Sequence, residues 1–282
     1  MKGNKYFFRQ YAAILAFAVS AIVFLLAACN KSQAEEPPEE PVVGIITMTT
    51  MASEVHFYME KLDAGDVIIN WGDAEESIAY DVAFSQDNYY YANISHSYSG
   101  TSEHKITITG DIDGLYCADN QLTALDVSKN PLLRKLFCFE NLLTELDVSR
   151  HPELFDLSCH YNQLTSLNVS GASSLYFFNC YNNQLTSLDV SSSIWLSDLF
   201  CENNQLTSLD MSSNIWLRRL NCSYNQLSTD ALNDLFRTLP LTSNPIPLNL
   251  TRVHYASVFD NPGANYCDVS IANEKGWHVI SE

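Results

Sequence analysis

Basic residues are scarce in this 282-residue chain, with 15 Lys and Arg against 33 Asp and Glu and a formal charge of −18. Residues 1–28 hold Lys2, Lys5 and Arg9 and no acid, so beyond them the balance is 12 against 33, or −21. A chain this acidic has no basic surface with which to release counterions from a phosphate backbone, which argues against nucleic acid as a partner. Catalytic signatures are missing as well. The seven histidines (His56, His96, His104, His151, His160, His254 and His278) form no H-E-x-x-H pair, and there is no G-x-S-x-G elbow and no P-loop. The expectation is a non-enzymatic protein without cofactor or metal. Only one long apolar run exists, Ala12 to Ala28, and its roughly 17 residues sit at the short limit for crossing a bilayer.

What the chain has in abundance is repetition. From Ile112 to Leu227 one phrase is written six times at a period of 21. Its first copy is Ile112, Leu115, Cys117, Asn120, Leu122, Leu125, Val127, and the next is Leu133, Leu136, Cys138, Asn141, Leu143, Leu146, Val148. Cys159, Cys180, Cys201 and Cys222 continue the series, each followed three places later by Asn. One such unit cannot bury its own apolar face, but stacked units share a continuous core. The L-x-C segment alternates inward and outward residues and predicts a short strand, paired in parallel with its neighbours at about 4.8 Å. Each Asn falls where the chain leaves the strand, and its amide has the donors and the acceptor to satisfy backbone groups of two coils. Leu122, Leu125 and Val127 then return to the core.

The pattern L-x-x-L-x-C-x-x-N-x-L is similar to leucine-rich repeats of bacterial surface proteins, and particularly to the internalin-like group whose coils carry a cysteine ladder. That resemblance covers residues 111–228 and implies a parallel-sheet solenoid. It says little of function, because the fold presents many different binding surfaces.

The flanks are of other kinds. Lys2, Lys5 and Arg9 precede the apolar run, and Leu26-Ala27-Ala28-Cys29 resembles the bacterial lipoprotein box, which implies cleavage after residue 28 and lipidation of Cys29. A plain membrane anchor and an ordinary secretory signal are the alternatives. Asn30 after the cysteine implies, by the same resemblance, export to the outer membrane or cell surface. Residues 29–41 read as an acidic, proline-rich tether. Residues 42–110 alternate apolar and polar residues, with candidate strands at Gly44–Thr50, Glu54–Met59, Asp66–Asn70, Ile78–Phe84, Tyr89–His96 and Lys105–Thr109. Asn70-Trp71-Gly72-Asp73 with His96-Ser97-Tyr98 and Ile106-Thr107-Ile108 resembles the PKD-type immunoglobulin-like sandwich, here expected to cap the open end of the solenoid. Residues 229–282 read as an α/β C-terminal cap, with a helix carrying Leu232, Leu235, Phe236 and Leu239, a strand at Leu248–Leu250, a short helix within Asp268–Lys275 and a final strand at Trp277–Ile280. The fold expected is therefore mainly β.

Constant cysteine spacing invites chemistry that the geometry disfavours. Thiols in one interior column lack the four-sided convergence zinc requires. In-register Cβ atoms also stand about 4.8 Å apart, beyond the ~3.8 Å usual in a disulfide. Six reduced thiols acting as small core hydrophobes are expected, with Cys267 a further buried one.

Function is expected on the outward strand positions that flank each cysteine and on the column just before each strand's first inward residue. Tyr116, Phe137, Phe139, His160, Phe177, Tyr181, Phe200 and Glu202 share that face, and an aromatic patch of this size on a soluble monomer marks a binding surface. The partner expected is a protein of a host or of the bacterial surface, with a glycan as the alternative. Trp195 and Trp216, also 21 apart, are expected to stack as cladding elsewhere on the coils.

Overall fold

The computed structural model describes residues 43–61, 65–73, 77–80, 83–84, 90–100, 102–242 and 254–281. Cys29, the apolar run and the tether lie outside them, as does the strand expected at Leu248–Leu250. Among the described residues no helix is long and apolar enough to cross a membrane.

The described residues open with seven strands: β1 (Ile45–Thr50), β2 (Glu54–Lys61), β3 (Val67–Asn70), β4 (Ile78–Tyr80), β5 (Ala83–Phe84), β6 (Tyr90–Ser97) and β7 (His104–Thr109). Their buried residues alternate along the sequence, and Ile46, Met48, Phe57, Ile69, Trp71, Ile94, Ile106 and Ile108 fill the space between two sheets. Trp71 packs flat against His96, and the Tyr98 hydroxyl donates to the Trp71 carbonyl at 2.9 Å. The run Ile78–Phe84, expected as one strand, is two. β4 pairs with β3 in one sheet and β5 with β6 in the other.

The repeats begin with β8 (Gly114–Tyr116) and the eight-residue β9 (Leu122–Lys129), then β10 (Lys135–Phe137), β11 (Glu145–Asp147), β12 (Asp156–Ser158), β13 (Ser166–Asn168), β14 (Phe177–Asn179), β15 (Asp198–Phe200) and β16 (Arg219–Asn221). Leu115, Leu136, Leu157, Phe178, Leu199 and Leu220 stand in parallel register, all essentially buried. The 21-residue period thus becomes one column per position. Beyond them lie helix α1 (Thr229–Thr238), β17 (Tyr255–Ser257), the short helix α2 (Ser270–Asn273) and β18 (His278–Ile280). Ser228 caps α1 by accepting from the Ala231 N–H, and Leu232, Leu235 and Phe236 face the core. β17 and β18 extend the parallel sheet.

Both sheets run through the junction between sandwich and repeats. β2 lies antiparallel to β8, the first repeat strand, while β1 lies antiparallel to β9 on the other side of the same coil. The first coil is therefore covered by paired backbone on two sides, and residues from Val43 onward form one unit with a continuous core.

The asparagines hold the coils together. Asn162 Nδ2 donates to Cys138 O of the preceding coil and to Cys159 O of its own, both at 3.0 Å, while its Oδ1 accepts from Leu143 N–H at 3.0 Å. Asn141, Asn183, Asn204 and Asn225 repeat the arrangement. So does Asn261, bonded to Cys222 O, Val258 O and Leu227 N–H. Ala256-Ser-Val258-Phe-Asp-Asn261 is thus a seventh copy of the frame, with valine at the cysteine position. It follows its predecessor by 36 residues rather than 21, because α1 lies between.

Each of these turns also demands an unusual backbone. The residue before the asparagine has positive φ throughout: Asp119, Glu140, Tyr161, Asn182, Asn203, Tyr224 and Asp260, at 51–54°. Asn and Asp tolerate that region best. Tyr161 and Tyr224 do not, and both stand on the strand face.

Candidate functional site

Seven described cysteines are free, and the six of the ladder are fully buried. Burial pushes Cys138 and Cys222 up to about 12 and raises the other ladder thiols as well. The ladder is core, and no group of described residues could hold a metal ion.

The eight expected residues are all half-buried and fall into three groups rather than one patch. In the first, Tyr116 and Phe137 stack with centroids 4.6 Å apart and planes within 3°. Tyr116 is engaged from the other side too. Its hydroxyl donates to Glu60 at 3.0 Å, and Tyr58 meets its ring edge-on, so β2 covers this end of the face. In the second, Phe139, His160 and Tyr181 form one continuous stack with spacings of 4.6 and 4.5 Å, and Glu202 occupies the next step of the same column. The third group is Phe177 at the margin where chains join the strands, and Phe200 lies beyond it beneath the Arg219 guanidinium, 5.8 Å from its ring centre.

The electrostatics are uneven. Glu60 holds Lys135 at 2.8 Å, and Arg219 is paired with Asp198. Glu202 has no such cation. Burial raises its carboxyl, and its Oε2 is enclosed without a hydrogen-bond partner, as are Asn179 Oδ1 and His160 Nδ1. Burial also lowers His160, keeping the imidazole neutral, and pushes Asp156 up to about 6 against the opposing effect of Lys135. These three atoms are closed off from the surface, so they are a cost of burial at the centre of the face and not contact points in themselves.

Two further aromatics lie just outside the columns read from strand alternation. Phe155 and Tyr176 stand one place before β12 and β14 and stack at 5.3 Å, and each meets Phe177 near a right angle. Their own 21-residue spacing was the available signal. Trp195 and Trp216 do stack, at 5.8 Å, yet stay 51% and 38% exposed beside the equally exposed Ile194 and Ile215.

Period, parallel ladder and asparagine network together define a leucine-rich-repeat solenoid with a cysteine ladder. No protein-family model matches the chain, and no curated protein does. Among solved structures it is similar to the functional domain of InlJ from Listeria monocytogenes, which includes a cysteine ladder, at 32% identity over 57% of this chain and 37% of that one, with a TM-score of 0.40. It is similar also to a leucine-rich-repeat protein of Leptospira interrogans (22% identity, 59% of this chain, 48% of that one, TM-score 0.44) and to the internalin InlF of Listeria monocytogenes (15%, 60%, 46% and 0.45). The chain spans less than half the length of each of these three.

Proposed function

We propose that this chain is a non-enzymatic recognition protein, tethered to a bacterial surface by lipid on Cys29, that reads a protein ligand with the strand face of its solenoid. The observation that carries the reading is the pair of aromatic stacks on one face of a parallel sheet. Rigid rings give contact area at small entropic cost. The stacked rings cover one another's faces and offer their edges outward, which suits a protein surface better than the flat face of a sugar. A screen of the full chain in detergent against extracellular proteins and against glycans tests this. The expected result is protein capture that the triple substitution Phe137→Ala, Phe139→Ala, Phe200→Ala abolishes. Capture of glycans alone, or capture untouched by the substitutions, overturns it.

A further inference from the structure

The corner built by Phe155, Tyr176 and Phe177 has a shape of its own. Two rings lie parallel, 5.3 Å apart with planes within 9°. The third stands across both, at 84° to Phe155 and 75° to Tyr176, with centroid distances of 5.7 and 4.7 Å. Phe155 is 42% exposed, so the corner opens to solvent. The three rings are in mutual contact and shield one another, so the ring surface left open to a cation is the exposed part of Phe155.

The strand register supplies the charge. Phe177 pairs with Asp156 on one side and with Asp198 on the other, so each neighbouring strand, about 4.8 Å away, places an aspartate beside it in register. Along that column the residues run Lys135, Asp156, Phe177, Asp198, Arg219. Signs alternate, and the ring stands where the next cation would fall. The face's own cations are held elsewhere. Lys135 is bonded to Glu60, Arg219 to Asp198, and the Arg134 guanidinium lies 3.8 Å from Glu153. Asp156, among the described residues, has no ion-pair partner of its own, and Lys135 does not offset the cost of its burial.

We infer that this corner is a subsite for a cationic side chain of the protein ligand, a lysine ammonium or arginine guanidinium seated against the exposed part of Phe155 with Asp156 as its counter-charge. The inference rests on the strand face being the recognition surface and names the chemistry that face selects. A net charge of −21 beyond residue 28 would draw a basic partner from a distance.

The test uses the full chain in detergent and an acetylated hexalysine peptide as probe, with hexaglutamate and phosphocholine as comparison arms. Binding of hexalysine alone is expected. Phe155→Leu should weaken it by about twofold to thirtyfold, the range that cation–π contacts span, and Asp156→Asn by at least fivefold. Asp189→Asn makes the same charge change at an exposed position in the other half of a coil, and should leave binding within twofold. Melting curves of all three variants confirm that each is folded, and Phe155→Tyr, which restores a ring, should recover affinity. Equal losses in Asp156→Asn and Asp189→Asn would reduce the effect to net charge and overturn the subsite. Binding of phosphocholine in place of hexalysine would assign the corner to a lipid headgroup and also overturn it. If a protein ligand loses binding to the Phe137, Phe139 and Phe200 triple variant but not to Phe155→Leu or Asp156→Asn, the recognition face stands and the cation subsite falls.

Discussion

The triple substitution Phe137→Ala, Phe139→Ala, Phe200→Ala separates a binding face from a core more sharply than any other perturbation. Strand alternation points these rings away from Cys138 and Cys201, and alternation alone predicts that removing them leaves stability nearly unchanged. The geometry revises that figure. Phe137 stacks on Tyr116 and Phe139 on His160, and each such pair contributes about 0.5–1.5 kcal/mol beyond area. Phe200 under Arg219 adds about 0.5–1 kcal/mol for a solvent-facing cation–π contact. The combined loss is therefore about 2–4 kcal/mol. Three buried phenylalanines would cost about 3–5 kcal/mol apiece, enough to abolish folding of a domain whose whole stability is about 5–15 kcal/mol. For a chain of this size each kcal/mol moves the melting temperature by about 2–4 °C, so calorimetry should show a drop of about 4–16 °C with the transition still cooperative. Ligand capture, measured on the same preparation, should fall by at least thirtyfold, since a lost hot spot costs about 2 kcal/mol or more. A chain that no longer melts cooperatively would mean the rings are core. Native melting with undiminished capture would place the receptor surface elsewhere.

Asn162→Ala should cost about 1–3 kcal/mol, because Leu143 N–H is left buried and unpaired while the Cys138 and Cys159 carbonyls each keep one donor, from Asn141 and Asn183; urea unfolding measures it, and a loss under about 0.5 kcal/mol would refute the network. Thiol titration of the native chain should find Cys267 alone slowly reactive among the described cysteines, with the six ladder thiols appearing only on denaturation without reductant. Disulfide-linked ladder peptides in mass spectra would contradict that. The chain should be labelled by palmitate in its bacterial host and partition into detergent, and Cys29→Ala should lose both properties; unchanged labelling removes the lipid anchor. Tyr161→Asn should raise stability by about 1 kcal/mol by relieving the left-handed tyrosine at φ 51°, while weakening ligand capture, since strain of this kind gathers at functional sites. A variant that gains stability with full binding would make Tyr161 incidental.

The parts of the fold legible in the residues are those whose physics is local and repeated. Leu136 predicts Leu157 because every coil meets the same neighbours, and one alternation assigns Cys138 inward and Phe139 outward for the whole ladder. The asparagine contacts follow similarly, since a buried turn needs a side chain with both donors and an acceptor. What escaped was non-local or hidden by insertion. Nothing around Leu122–Lys129 reports that it pairs antiparallel with Ile45–Thr50, about eighty residues away. The switch of Ile78–Phe84 between sheets leaves no trace in its alternation. Val258 and Asn261 obey the frame, yet α1 stretches the interval to 36 and valine replaces the cysteine on which the pattern is keyed.

The site was legible in the same uneven way. A period-two reading finds side chains that stand straight out from a strand, and so it found Phe137, Phe139, Tyr181 and Phe200. Phe155 and Tyr176 precede the strand, where the backbone is not yet extended and two successive residues, Phe155 and Asp156, both lie outside the core between Leu154 and Leu157. That departure from alternation brings an aromatic pair and a carboxylate to one corner. The inward columns repeat one residue type from coil to coil and are spent on the core. Selectivity on the proposed face would come from its varied columns: Phe177 between two aspartates, Glu202 ending an aromatic stack, Tyr161 in a left-handed turn that Asp or Asn fills in four other coils. In this solenoid the repeated residues carry the fold, and the residues that violate the repeat are the ones on which discrimination between ligands can rest.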